Sequence, residues 1–338
     1  MQEQVVVGVI GAGKIGKLHI ANLKQNQNVR IKMVSDLFAD QMWDWFDNSG
    51  VEQITKDYHD ILNDSEIDAV FICSPTNTHV ELIKEAATKG KHIFCEKPIS
   101  FSDEESVEAF KIVESTGVKF QIGFNRRFDK NFSAIREGIV ADKIGDIHLL
   151  KITSRDPKPP ELDYIKTSGG MFYDMTIHDF DMARFIVGQE IVEVYAQGGN
   201  LIDPKIGEMG DMDTAIITLK FEDGSLGVID NSREAVYGYD QRIEVFGNKG
   251  ALTADNETPT NVKYYNESAI EQDKPLYFFL ERYNDAYVNE TSKFIQCILN
   301  KQDTEVVFKD GMMAQRIAQA ARKSYETQQP VKVETKVW

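Results

Sequence analysis

The chain has 338 residues, 42% of them hydrophobic and 27% charged, which is enough apolar material for roughly two cored domains and excludes a disordered polymer. Its formal net charge of −16 argues against a nucleic-acid or anionic-membrane partner, which would want a basic surface. It also requires that any anionic ligand be held by local backbone dipoles rather than by whole-molecule attraction.

The first third alternates two periodicities. Val5–Ile10 is a β-branched apolar run that reads as a strand buried on both faces, so the opening Met1–Ile10 segment reads as core rather than as a signal peptide. A helix is predicted from Ile15 to about Lys24, a strand near Arg30–Ser35, a helix near Ala39–Asp47 and a helical turn near Tyr58–Leu62. Strands follow at Ala69–Cys73 and His92–Cys95, separated by an amphipathic helix over Thr78–Lys89. Ser102 and Glu105 form a capping box that opens a helix to about Ser115, and Val118–Ile122 closes the series. This alternation predicts an N-terminal doubly wound parallel sheet of the Rossmann kind over residues 1–123.

After Gly123 the texture changes. Strands near Ile147–Ser154 and Val192–Gly198 flank a helix over Asp174–Val187. Five strands then follow one another: Thr214–Phe221, Ser225–Asn231, Gln241–Phe246, Ala251–Ala254 and Val262–Tyr265. Helices near Leu280–Leu299 and Gly311–Thr327 end the chain. The expectation for residues 124–338 is an α+β domain with a large, open, mainly antiparallel sheet that binds substrate and forms oligomers, its C-terminal helix packing back on the first domain. Cys73, Cys95 and Cys297 lack metal-ligand spacing and imply free thiols in a reducing compartment, and no run approaches the roughly 18 apolar residues of a membrane span. A cytoplasmic protein without membrane partners is expected.

The chemistry collects at strand ends. Gly11-Ala12-Gly13-Lys14-Ile15-Gly16 follows a buried strand and opens a helix. In that context the first glycine makes the turn, the second admits a pyrophosphate, the third packs helix on strand, and the helix N-terminus faces the phosphates. Asp36 stands 20 positions after Gly16, where a carboxylate binds ribose hydroxyls and repels a 2′-phosphate; the alternative is a loop cap. Leu37 follows it rather than an arginine, so NAD is implied over NADP. Ser74, Thr76 and Asn77 after the fourth strand can hydrogen-bond a cofactor or cap the next helix, and His79 can contact cofactor or solvent. Lys97, in Cys95-Glu96-Lys97-Pro98, can stabilise negative charge on a substrate oxygen or simply be solvated. Asp174 and His178, four residues apart, fall on one helical face, with Asp181 nearby; a histidine so supported suits a general base, the alternative being a structural or solvated pair. No third ligand with convincing spacing supports a metal site, and hydride chemistry needs none.

Three motifs together, Gly11–Gly16, Glu96-Lys97-Pro98, and Gly169-Gly170 leading to Asp174 and His178, identify a resemblance to the glucose–fructose oxidoreductase / inositol dehydrogenase family over essentially the whole chain. The inositol 2-dehydrogenase branch is the most similar. It is marked by Gly123-Phe124-Asn125-Arg126-Arg127-Phe128-Asp129, Ser154-Arg155-Asp156-Pro157, Asp174–Asp181 and Tyr237-Gly238-Tyr239-Asp240-Gln241-Arg242. The resemblance implies an NAD-dependent dehydrogenase that oxidises a ring hydroxyl of a cyclic polyol, myo-inositol to its 2-keto product, in a cleft between the domains. It further implies that Lys97 assists deprotonation, Glu96 meets the nicotinamide ribose, Asp174 orients substrate and His178 takes the proton. Arg127, Asp156 and Tyr239 would hold the other hydroxyls. Lys14 and Ile15 join the cofactor contacts, the Lys97–Pro98 peptide is cis, and a homotetramer is favoured. Competing readings are a dehydrogenase for scyllo-inositol or another sugar, a non-catalytic NAD-sensing regulator, and a purely structural partner protein.

Overall fold

A computed structural model describes residues 4–336, so Met1–Glu3 of the opening apolar run, and Val337 and Trp338 at the end of the second domain, lie outside the described residues. The chain divides into two compact units: one of residues 1–125 with 287–315, the other of residues 126–286 with 316–338.

The first unit runs β1 (Val5–Ile10), α1 (Lys14–Lys24), β2 (Val29–Ser35), α2 (Trp43–Ser49), β3 (Gln53–Thr55), α3 (His59–Asn63), β4 (Ala69–Ile72), α4 (His79–Thr88), β5 (His92–Cys95), α5 (Asp103–Thr116) and β6 (Phe120–Ile122). Its strands form a six-stranded sheet in the order β3-β2-β1-β4-β5-β6, every pair parallel. Parallel strands require crossovers, and the intervening helices supply them. Because all six strands point the same way, the segments after β1, β2, β4 and β5 emerge at one edge, with the order reversing between β1 and β4. The predicted helix over Ala39–Asp47 is two pieces, a 3₁₀ turn at Ala39–Gln41 and α2, and the short strand β3 carries too few residues to show a period. Ser102 caps α5 by accepting the Glu105 N–H, but the return half of the capping box runs through a third residue: Ser102 N–H donates to Ser100 Oγ, whose hydroxyl donates to Glu105.

The second unit holds α6 (Lys130–Val140), β7 (Ile147–Arg155), α7 (Leu162–Ile165), α8 (Met171–Asp174), α9 (Thr176–Val187), β8 (Ile191–Gly199), α10 (Pro204–Glu208), β9 (Thr214–Phe221), β10 (Leu226–Ser232), β11 (Asp240–Gly247), β12 (Gly250–Ala254), the hairpin of β13 (Lys263–Tyr265) and β14 (Ile270–Gln272), and α11 (Phe279–Arg282). There follow α12 (Asn284–Leu299), α13 (Phe308–Thr327), each shared between the units, and β15 (Val331–Lys332). The large sheet has seven strands in the order β12-β11-β7-β10-β9-β8-β15 and is antiparallel except for the central β7–β10 pair. Helices α6 and α9 pack on one face. The other face alternates outward along each strand and exposes Leu149, Ile216, Leu226 and Phe246 among charged neighbours.

Residues 287–315 belong to the first unit although most of the second unit separates them in sequence. Phe294 of α12 stands edge-on to Phe71 of β4 and Phe94 of β5, which stack on each other with centroids 4.6 Å apart. With Ile295 these rings close the apolar core beneath β1 and β4. The helical period of that stripe is plain in the sequence, but its address is not.

Candidate active site

The glycine loop is shaped by contacts that leave no room for side chains at two of its three glycines. Gly11 sits at φ +91°, and a Cβ there would meet Ser74 N at 2.7 Å; a Cβ on Gly16 would lie 2.0 Å from the Gly11 carbonyl oxygen. Gly13, the N-cap of α1, is different, because a Cβ there would enter open space with nothing within 4 Å. An unfilled cradle at a helix N-terminus fits a pyrophosphate. Lys14 and Ile15 form the first residues of that helix.

Asp36 follows β2 and binds the loop directly. Its Oδ2 accepts the Ala12 N–H at 2.8 Å and its Oδ1 the Phe38 N–H at 2.9 Å. A carboxylate offers about four acceptor positions, so those two hydrogen bonds leave capacity for a pair of ribose hydroxyls. The loop-cap and ribose readings of Asp36 are therefore compatible.

Among the residues after β4, Ser74 Oγ pairs with Thr78 Oγ1 at 2.6 Å, and Thr76 and Asn77 lie in a 3₁₀ turn with Asn77 exposed. His79 does not present its ring to solvent: it is buried, with Nδ1 2.8 Å from the Pro98 carbonyl and Nε2 2.8 Å from the Ser74 carbonyl. The ring thus sits between the β4 loop and the β5 loop, the neutral tautomer donating to one of the two carbonyls; burial lowers the ring's pKa, opposed by those carbonyls. After β5, the Lys97–Pro98 peptide is cis, the Lys97 N–H donates to Glu96 Oε2 at 3.3 Å, and Glu96 Oε1 lies 2.7 Å from His19 Nε2 on α1. Gly123 leaves room for this carboxylate, since a Cβ there would press on Glu96 at 3.1 Å.

The second unit gathers its own polar cluster. Because β7 and β10 are parallel, Asp156 and Arg233 leave the sheet at the same edge; the Asp156 N–H donates to the Ser232 carbonyl at 2.9 Å and the Ala235 N–H to the Asp156 carbonyl at 2.7 Å. Burial, opposed by the Arg233 cation and reinforced by the Asp174 anion, pushes the Asp156 carboxyl up to about 7, although part of its surface remains exposed. The expected single helix through Asp174 and His178 is broken at Met175, where φ is −98° and ψ −60°. Asp174 therefore ends α8 and His178 lies in the first turn of α9. Asp174 Oδ1 accepts the Tyr164 hydroxyl at 2.8 Å.

The start of α9 is fixed to the strand ends by a buried network: Thr176 Oγ1 and Asp179 Oδ2 both bond Asn231 of β10, at 2.6 and 2.9 Å. Asp179 Oδ1 also accepts from Arg126 at 2.5 Å, and Arg126 Nη2 reaches the Tyr239 hydroxyl at 3.5 Å. Arg127 forms a two-pronged bond with Asp181, 2.9 Å from Nε and 2.6 Å from Nη2, so Asp181 serves Arg127 in this arrangement. Sequence reading gave no role to Arg126, Asp179, Tyr164, Arg233 or His19. Only the charge density of Asp174–Asp181 and of Asn125-Arg126-Arg127 could have drawn attention to the first two.

Residues 5–124 match the oxidoreductase family model with an NAD-binding Rossmann fold, and residues 132–253 match the GFO/IDH/MocA C-terminal domain. The chain belongs to the GFO/IDH/MocA oxidoreductase family. It is 53% identical to the uncharacterized oxidoreductase YrbE of Bacillus subtilis over 99% of this chain and 98% of that one. It is 48% identical to a myo-inositol 2-dehydrogenase of Thermotoga maritima, covering 97% and 98% respectively. A crystal structure of scyllo-inositol dehydrogenase from Lactobacillus casei with bound NAD(H) and scyllo-inositol superposes with a TM-score of 0.92 at 32% identity, covering 98% of this chain and 99% of that one. As a member of this family the chain is an oxidoreductase whose cofactor is NAD, and the open cradle at Gly13 and the spare acceptors of Asp36 are consistent with that cofactor. No helix among the described residues is long and apolar enough to cross a membrane.

Proposed function

We propose that this protein oxidises a ring hydroxyl of a cyclic polyol, with myo-inositol, converted to 2-keto-myo-inositol, as its preferred substrate. The observation that carries the reading is the 48% identity to a myo-inositol 2-dehydrogenase over nearly the whole of both chains. The second unit supports it chemically. A neutral substrate bearing many hydroxyls needs alternating donors and acceptors rather than a basic patch, and Asp156, Asp174, His178, Arg127 and Tyr239 offer that mixture. The cradle at Gly13 and the carboxylate of Asp36 would hold NAD⁺, which would supply the hydride acceptor for the reacting carbon. The chain's residues do the rest: His178 takes the hydroxyl proton, Lys97 stabilises the negative charge developing on that oxygen, Asp174 orients the ring, and Glu96 holds the nicotinamide ribose.

A second reading, preference for scyllo-inositol, has the Lactobacillus casei complex in its favour, but at lower identity. A non-catalytic NAD sensor could dispense with Lys97, Asp174 and His178, and all three are present. The exposed apolar residues on the open sheet face suit a second copy of the chain, and the family resemblance favours a homotetramer built from such pairs. We assign the reaction to inositol breakdown in the cytoplasm, in keeping with three free cysteines. A panel of inositol isomers and aldoses, run in parallel with NAD⁺ and NADP⁺ while NADH or NADPH absorbance is followed, tests the proposal. Highest kcat/KM for myo-inositol with NAD⁺ is the expected result, and no turnover of any cyclic polyol would overturn it.

A further inference from the structure

Asp174 is approached on both carboxylate oxygens by side chains of its own unit. The Tyr164 hydroxyl donates to Oδ1 at 2.8 Å, and Arg233 Nη1 stands 3.6 Å from Oδ2. Arg233 is 1% exposed, and its Nη2 lies 3.6 Å from Oδ2 of Asp211. A guanidinium so deeply enclosed must be balanced by fixed anions. These two are placed in a particular way: Asp211 Oδ1 accepts the N–H of Met171, the first residue of α8, and Asp174 is the last residue of the same short helix. One cation therefore spans both ends of the turn that carries Asp174.

Arg233 is itself held from behind. Its N–H donates to the Asp213 carbonyl at 2.8 Å, and the Asp213 carboxylate accepts the N–H groups of Leu201, Ile202 and Asp203. Its Nε and Nη2 make no hydrogen bond among the described residues. At 3.6 Å its pairing with the carboxylates is one of charge rather than of close hydrogen bonding. Tyr164 supplies the directional part, because a single O–H donor occupies one acceptor position of Asp174 and leaves the others.

We infer that Arg233 and Tyr164 are the positioning residues of Asp174, the guanidinium anchoring its carboxylate and the tyrosine hydroxyl selecting which lone pairs face a substrate hydroxyl. The inference rests on the proposed reading that Asp174 orients a polyol. It also makes the 157–170 connection a contributor to substrate fit, since Tyr164 reaches Asp174 from there while half of its surface stays in solvent.

The test compares Arg233→Met, Arg233→Lys and Tyr164→Phe in the full-length protein. Arg233→Met is expected to raise KM for myo-inositol at least about tenfold, more than it lowers kcat, with the NAD⁺ dissociation constant within about twofold of wild type. Arg233→Lys should recover most of that loss, and Tyr164→Phe, at a half-exposed position that tolerates the change, should raise KM about three- to tenfold at an unchanged melting temperature. KM within twofold of wild type in both Arg233→Met and Tyr164→Phe, or equal falls in kcat for both Arg233 variants, overturns the inference. A thermal-unfolding cycle of Arg233→Met, Asp174→Asn and the double variant reads the anchoring without any substrate. The double variant should melt about 3 °C or more above the additive expectation, and additivity would refute the anchoring. If no polyol is turned over by wild type, the proposed function falls while this cycle still decides whether Arg233 holds Asp174.

Discussion

Nε2 of His19 lies 2.7 Å from Oε1 of Glu96, so the helix that opens at the glycine loop is tied to the loop that carries Lys97. His19 is buried with its ring edge-on to Phe94, 4.9 Å between centroids. His19→Phe keeps an aromatic ring there and deletes the contact. The expected outcome is a stability loss of about 1–3 kcal/mol in urea unfolding and a NAD⁺ dissociation constant raised about tenfold. Unchanged NAD⁺ affinity in a fluorescence titration would show that Glu96 needs no support from His19.

Gly13 and Gly16 separate binding from folding. Gly16→Ala forces a Cβ to within 2.0 Å of a backbone oxygen, so the glycine turn must open, at a cost of about 2–3 kcal/mol or more. Gly13→Ala places its methyl in open space at φ −69°, a conformation alanine accepts. Its melting temperature should stay within about 2 °C of wild type while NAD⁺ affinity falls at least about tenfold. Calorimetry with and without NAD⁺ checks both, and tight NAD⁺ binding by Gly13→Ala would refute the cradle.

Asp156 makes stability depend on pH in a stated direction. Its carboxyl is raised to about 7, so protonation favours the fold, and its contribution declines as pH climbs from about 4 to about 7 and is level above. Asp156→Asn removes that slope. Between about pH 5 and pH 8 the variant should gain about 1–2 kcal/mol relative to wild type, a figure reduced for partial solvent screening. Parallel stability profiles for the two proteins in urea titrations would contradict this.

Lys97→Met and His178→Ala should each lower kcat by about 10²- to 10⁴-fold, the ordinary worth of a positioned acid–base group, with little change in NAD⁺ affinity or melting temperature. Near-normal turnover in either variant, measured by single-wavelength NADH formation, would remove that residue from the chemistry.

The parts of the site legible in the sequence are the local ones. The glycine loop, Asp36 and the Glu96-Lys97-Pro98 turn each follow a strand that is apolar throughout, so strand, edge and ligand group are read in a single window. The Asp174–His178 spacing was visible, but the break at Met175 was not, because no proline or glycine marks it and the helix on either side keeps the chain's period. Arg233 was invisible for a different reason. Its importance comes from the parallel register of β7 against β10, which pairs residues separated by much of the second unit, and a charged residue at a strand end ordinarily reads as solvent-facing. His79 misled in the opposite sense: a histidine in a first helical turn looks available, and only the fold brings two carbonyls onto its ring.

The return of residues 287–315 to the first unit bears on how the chain is made. On a ribosome the six parallel strands are complete at Ile122, yet Phe294 and Ile295, which seal their core, emerge only after strands β7 to β12 of the large sheet have been synthesised, with β15 still to come. During that interval the Phe71–Phe94 stack faces an uncovered boundary. Each unit therefore closes only with chain made late in synthesis, the first with residues 287–315 and the second with residues 316–338, so neither is complete when its own sheet strands first appear.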